Sequence, residues 1–145
     1  MPRLCPLLVA VLVSVGCSLP ATTFDAYEDK AIHAAEDVLS QARTAVLAAD
    51  LARRDRTFPV SVAVQLEEAE TAAVGANDEF AAILPPDQRS EALRRELLPL
   101  LEDAADLIAR MRFEARRGDV TALVGLADTL AEPADRIDAW VASHG

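Results

Sequence analysis

From residue 24 onward the chain repeats one pattern four times, apolar residues advancing in alternating steps of three and four. Between 24 and 54 the seam is Ala31, Ala35, Val38, Ala42, Ala45, Ala49 and Ala52, flanked by Ile32, Leu39 and Val46. Such steps bring side chains back to one face of an α-helix, so the segment is expected to be a helix with one buried stripe. Its alanines allow a neighbouring helix to approach closely, and the larger flanking residues fill the gaps. The second stripe, in 59–84, is Val62, Leu66, Ala69, Ala73, Ala76, Phe80 and Ile83. The third, in 87–117, is Leu93, Leu97, Leu100, Ala104, Leu107 and Met111, with Leu101, Ile108 and Ala115 beside it. The fourth, in 120–142, is Val120, Leu123, Ala127, Leu130, Ala134, Ile137 and Val141, next to Trp140.

The breaks between stripes have their own chemistry. Thr57-Phe58-Pro59 places proline in a first helical turn, where its missing N–H costs nothing. Pro85-Pro86-Asp87 stops the second helix, because a residue before proline avoids the helical region, and Asp87 suits the next N-cap. In Arg116-Arg117-Gly118-Asp119, glycine fits the left-handed position after a helix and Asp119 caps the following one. Pro99 and Pro133 fall inside helices and should bend them. Surface pairs Asp50–Arg54, Glu91–Arg95, Asp106–Arg110 and Arg110–Glu114 have helical spacing. Four stripes with short connections predict an all-α fold, an antiparallel up-and-down four-helix bundle over 24–145. The first helix would be about 45 Å long. The near-heptad spacing also permits a coiled-coil hairpin that forms a homodimer.

The start of the chain differs. Leu4 to Gly16 is apolar or small, with Arg3 the one charge before it. Some 13 residues reach about 20 Å as a helix, short of a hydrocarbon core of about 30 Å but suited to the apolar part of a signal peptide. Val13-Ser14-Val15-Gly16-Cys17 resembles a bacterial lipobox, although Ser14 stands where leucine is usual. The resemblance implies that residues 1–16 are a lipoprotein signal peptide, cut before a Cys17 whose thiol carries a diacylglyceryl group. Residues 17–23 would then be the lipidated cysteine and a short tether, reaching at most about 20–25 Å. An ordinary signal cut near Ala21, or a short buried helix, are the other readings. With a lipobox, Cys5 leaves with the leader and Cys17 becomes a thioether, so no thiol remains for a disulfide, a metal or nucleophilic catalysis.

Loss of Arg3 with the leader takes the formal charge from −10 to −11. About 129 residues remain, enough for one domain and one core. An acidic surface argues against nucleic acid, which needs clustered cations, and it repels anionic headgroups, leaving membrane attachment to the acyl chains. Lysine occurs once, at Lys30, and the remaining cations are arginines.

FDAYEDKAIHAAEDVLSQARTAV and ILPPDQRSEALRRELLPLLEDAADLIARMRFEARRGD are similar to stretches of small exported helical proteins of actinobacteria, across residues 24–142. This resemblance implies a compartment and a fold. It carries over no functional residue.

Candidate chemistry is sparse. His33, with Asp29, Glu36 and Asp37, lies off the alanine seam and reads as a solvated face; it lacks the Glu-x-x-His pairs of carboxylate-bridged metal bundles. Glu67, Glu68 and Glu70, and Glu102, Asp103 and Asp106, also fall off the stripes, whereas general acid–base work needs one carboxyl buried. Arg110, Arg112, Arg116 and Arg117 form a basic patch that suits a helix C-terminus and permits anion binding; Arg89, Arg94 and Arg95 lie at the far end of that helix. Arg117-Gly118-Asp119 spells an adhesion triplet, but helix punctuation accounts for it. His144 has no assigned role. Phe24, Tyr27 and Trp140 sit near helix ends and are the candidate lining of a ligand pocket, with end-packing as the plainer role. No catalytic residue, metal ligand or cofactor site is expected. The chain reads as a lipid-anchored, non-enzymatic interaction or structural module of the cell envelope. Its expected place is the outer face of the cytoplasmic membrane, or else outside the cell, and its partner an envelope protein. The alternative is a small-ligand-binding or sensory bundle.

Overall fold

The structure, a computed structural model, describes residues 21–145. The signal segment 1–16, Cys17 with its expected acyl group, and the tether up to residue 20 lie outside the described residues. Four helices follow one another: α1 (Phe24–Arg53), α2 (Pro59–Ala81), α3 (Gln88–Arg117) and α4 (Val120–His144). No strand occurs among the described residues, and none of their helices is long and apolar enough to cross a membrane.

Local chemistry sets the helix ends. Thr23 caps α1, its Oγ1 accepting the Ala26 N–H at 3.3 Å. Asp87 caps α3 by accepting the Ser90 N–H and the Ser90 hydroxyl, each at 2.8 Å. Asp119 caps α4 by accepting the Ala122 N–H at 2.9 Å. The α2 N-terminus has Phe58 at the cap, which offers no side-chain acceptor, and Pro59 inside the first turn. Gly118 follows α3 at φ 73°. The Asp119 N–H reaches back to the Glu114 carbonyl and the Gly118 N–H to Ala115, each at 3.1 Å, so orphan carbonyls are satisfied. Asp55 does the same after α1 at φ 54°, a conformation glycine adopts at lower cost.

Two boundaries move by more than one residue from the sequence reading. α2 stops at Ala81 rather than at 84. Arg94 on α3 donates to the Ala81 carbonyl at 2.7 Å and to the Ile83 carbonyl at 3.0 Å, giving this end a tertiary cap. α4 continues to His144, whose ring stacks on Trp140 with centroids 4.1 Å apart. The helices run on through Pro99, which is exposed, and Pro133, which is buried.

The four stripes meet in one core. α1 packs against α2, α3 and α4, and α3 likewise touches the other three, whereas α2 and α4 do not meet. Ten residues of α1 and eleven of α3 are therefore buried, against five of α2 and seven of α4. The broader burial draws in Ala34, Ala48, Ala105 and Ser90, beyond the expected seams. Ala52, Ala76 and Val141 are half-buried, and Val120, the first residue of α4, is exposed. Asp50 pairs with Arg54 at 2.8 Å as its spacing predicts, and with Arg53 at 2.6 Å. Hydrogen bonds from Arg53, then Arg54, hold its carboxyl below the usual range. Glu91–Arg95, Asp106–Arg110 and Arg110–Glu114 do not form; Glu114 turns to Arg117 at 3.7 Å instead. Exposed pairs gain too little to hold two long side chains in a single geometry.

Candidate functional site

The two charged clusters that look separate in sequence face each other across the α2–α3 boundary. Arg112 forms a two-point contact with Glu70, through Nε to Oε2 and through Nη2 to Oε1 at 3.2 Å. Arg116 Nη2 donates to Glu67 Oε2 at 2.7 Å. The Arg112–Glu70 pair is half-sheltered, with side chains 27% and 22% exposed, while Arg116 and Glu67 are open to solvent. The hydrogen bond to Glu70 raises the Arg112 guanidinium above its ordinary value, strengthening its positive charge state. Of the patch expected from sequence, Arg112, Arg116 and Arg117 are thus engaged with carboxylates, and Arg117 also lies 5.6 Å from the Phe113 ring centroid. Arg110 makes no ion pair among the described residues.

Three of these partners directly follow a seam residue, Leu66–Glu67, Ala69–Glu70 and Met111–Arg112, and Arg116 follows Ala115, which lies beside the seam. Side chains flanking an apolar seam are placed to pair across it, as in coiled coils. That was the signal available in the sequence for the contact. Arg43 of α1 and Asp138 of α4 make a similar exposed bridge at 2.9 Å.

The candidate pocket residues divide between two places. Tyr27 is fully buried and its ring lies 5.4 Å from Phe80 of α2 at a 50° tilt. Its hydroxyl has no hydrogen-bond partner although Arg94 lies nearby. Burial raises the Tyr27 phenol above its ordinary pKa against the opposing influence of Arg94, so it stays neutral at neutral pH. Phe24 lies under the Arg89 guanidinium, 3.6 Å from carbon to ring centroid, a cation–π contact between the starts of α1 and α3. Trp140 packs with His144 instead, and its buried Nε1 also has no partner. The Ser143 hydroxyl donates to the Trp140 carbonyl at 2.8 Å, and His144 Nδ1 lies 2.9 Å from the same oxygen. His144, without a role in the sequence reading, thus helps to close α4.

His33 is exposed in an open groove between the start of α1 and the end of α2, together with Asp29, Asp37 and Glu79. No set of three His, Cys, Asp or Glu side chains among the described residues has the geometry of a metal site. Glu102, Asp103 and Asp106 are exposed. Apart from Tyr27 and Trp140, the one polar residue buried among the described residues is Ser90, whose hydroxyl goes to the Asp87 cap.

No family model, curated protein or solved structure matches this chain. The reading of its site therefore rests on its own geometry. Glu67, Glu70, Arg112 and Arg116 serve the pairing of α2 with α3, and Arg94 and Arg89 serve helix ends. Large apolar side chains left exposed lie at several places, among them Phe58 and Val60 at the start of α2, Leu84 between α2 and α3, and Leu47 on α1.

Proposed function

We propose that this chain is a lipid-anchored, extracytoplasmic helical bundle acting as a non-enzymatic interaction or structural module of the cell envelope. The observation that carries the module reading is the pairing of Glu67 and Glu70 with Arg116 and Arg112, which puts both charged clusters to structural use. In this reading the helices run alternately up and down. Support comes from three sets of contacts. The start of α1 shares a groove with the end of α2; Glu70 and Glu67 meet Arg112 and Arg116 in reversed order; Ala52 near the end of α1 shares a cavity with Leu123 near the start of α4. Anchoring rests on Val13-Ser14-Val15-Gly16-Cys17, and an actinobacterial origin on the stretches named above. Two acyl chains hold a protein stably where one is marginal. Fractionation of cells tests the anchor: the wild type is expected with membranes, and Cys17→Ala is expected to be released or to persist as uncleaved precursor. A wild type that is soluble, unacylated and cut near Ala21 refutes it.

The second reading, a small-ligand-binding or sensory bundle, is favoured by the unpartnered Tyr27 hydroxyl and Trp140 Nε1. Buried polar atoms ordinarily find partners, and such groups are typical polar handles of a binding site.

A further inference from the structure

We propose that the solvent-facing side of α2 is a docking surface for a basic, amphipathic helix of a protein partner. The proposal deepens the interaction-module reading and rests on it. Large apolar side chains left in water gather on this helix. Of the eight among the described residues, Phe58, Val60, Val64, Val74 and Leu84 lie on α2 or on the connections at its two ends. Val60, Val64, Glu67, Thr71, Val74 and Asp78 advance in the same steps of four and three as the core seam of α2, two residues out of phase with it. They therefore share the face turned away from the core. An open groove of about 460 Å³ runs along this face, lined by Val64, Glu67, Glu68, Thr71 and Ala72. Valine is a weak helix former and is stiff at χ1, so valines at wet positions gain the isolated chain little; covering them does. α2 also buries only five residues in its own bundle, the fewest of the four helices.

The charge on α2 has one sign. It is the one helix of the four without a lysine or arginine, and it carries five carboxylates. Glu67 and Glu70 are held by Arg116 and Arg112 of α3. Glu68, Asp78 and Glu79 are exposed and make no ion pair among the described residues. Glu68 thus borders the groove as an uncompensated carboxylate, and Asp78 and Glu79 continue the acidic flank about three turns further along. Charges beside an apolar stripe select the partner helix in coiled coils and in helix-in-groove recognition. A stripe flanked by free carboxylates alone selects a helix whose own stripe is flanked by lysine or arginine. A second copy of this chain fits poorly, because α2 set on α2 by a twofold axis brings carboxylates against carboxylates. A bilayer of anionic lipids is repelled for the same reason.

The test is site-specific photo-cross-linking of the full chain in its native envelope. Benzoylphenylalanine replaces Val64 or Val74 on α2, or Glu102 on the exposed side of α3 as control. The expected result is one discrete protein adduct from 64 and 74 and none from 102. The joined peptide should carry lysine or arginine beside apolar residues at helical spacing. Glu68→Lys with Glu79→Lys, both at exposed positions, is expected to cut the adduct about tenfold, as loss of an interface hot spot does. Glu102→Lys with Asp106→Lys changes the net charge equally and is expected to leave the adduct as it is. Adducts with lipid only, with a second copy of the chain or with an acidic peptide overturn the proposal, as does an equal loss from the two charge reversals. A discrete protein adduct from 102 and none from 64 or 74 overturns this surface and keeps the interaction module; no protein adduct from any of the three positions overturns both. Fractionation of the same cells judges the anchor separately: a soluble chain that still gives the adduct from 64 and 74 refutes the anchor and keeps the docking surface.

Discussion

Arg112 of α3 holds Glu70 of α2 by two hydrogen bonds, in a half-sheltered setting one helical turn from the exposed Arg116–Glu67 bridge. The two pairs differ in exposure, so they are expected to differ in strength. A double-mutant cycle with Glu70→Gln and Arg112→Leu is expected to give a coupling of about 1 kcal/mol, and the same cycle at Glu67 and Arg116 a few tenths. Urea unfolding of the four variants in each cycle measures this. Equal couplings would mean that shelter adds nothing here.

Asp87 ties the start of α3 to acid stability. Hydrogen bonds from the Ser90 backbone, then from its hydroxyl, hold the Asp87 carboxyl below the usual carboxylate range. A folded-state pKa below the unfolded one stabilises the fold above the unfolded value of about 3.9, and that contribution is lost as pH falls through the folded pKa. Asp87→Ala is therefore expected to be less stable than wild type at pH 7, with the difference shrinking toward pH 2. Thermal melts across that range decide it; a gap that stays constant with pH would detach the cap from the titration.

Tyr27 acts at the other end of the pH scale. Its folded-state pKa is raised, chiefly by burial, so its contribution is complete below about pH 10 and is lost as pH rises through the folded value. Tyr27→Phe is expected to remove this alkaline loss. At neutral pH it should stabilise the protein by about 1 kcal/mol, since a buried hydroxyl without a partner disappears while the ring contact with Phe80 stays. Denaturant midpoints at pH 7 and pH 10.5 are the measurement. Destabilisation at pH 7 would show that the hydroxyl is bonded after all.

The alanines of α1 set how near its three neighbours come. Ala45 is fully buried, and Leu47, two residues on, is 58% exposed. Ala45→Leu is expected to cost about 1–3 kcal/mol by overpacking, whereas Leu47→Ala stays within about 0.5 kcal/mol of wild type. Calorimetry of both variants compares them directly, and a tolerant Ala45 would mean the helix contacts are loose.

Much of this fold is legible in the spacing of its apolar residues. Seam positions such as Leu66, Leu97, Met111 and Ile137 are buried as their periodicity requires, because a stripe on one helix has nowhere else to go. The caps Asp87 and Asp119 and the left-handed Gly118 are equally local and equally readable. What sequence spacing hides is which helix lies next to which. Glu70 and Arg112 are 42 positions apart, so they read as separate clusters until α2 lies against α3. The end of α2 at Ala81 is capped by Arg94, a side chain on the next helix that local spacing does not point to. Among the candidate site residues, Tyr27 meets Phe80 of another helix, a neighbour that periodicity does not name, whereas Trp140 stacks on His144 one turn further along its own helix, a spacing the sequence shows.

The unequal sharing of the core has a mechanical meaning. α1 and α3, each touching every other helix, act as a spine, while α2 and α4 are flanks fastened along one side. α2 is the weaker flank: it buries five residues and starts at Phe58 without a side-chain cap. Under thermal agitation α2 is therefore expected to open first, exchanging its amide protons ahead of the spine.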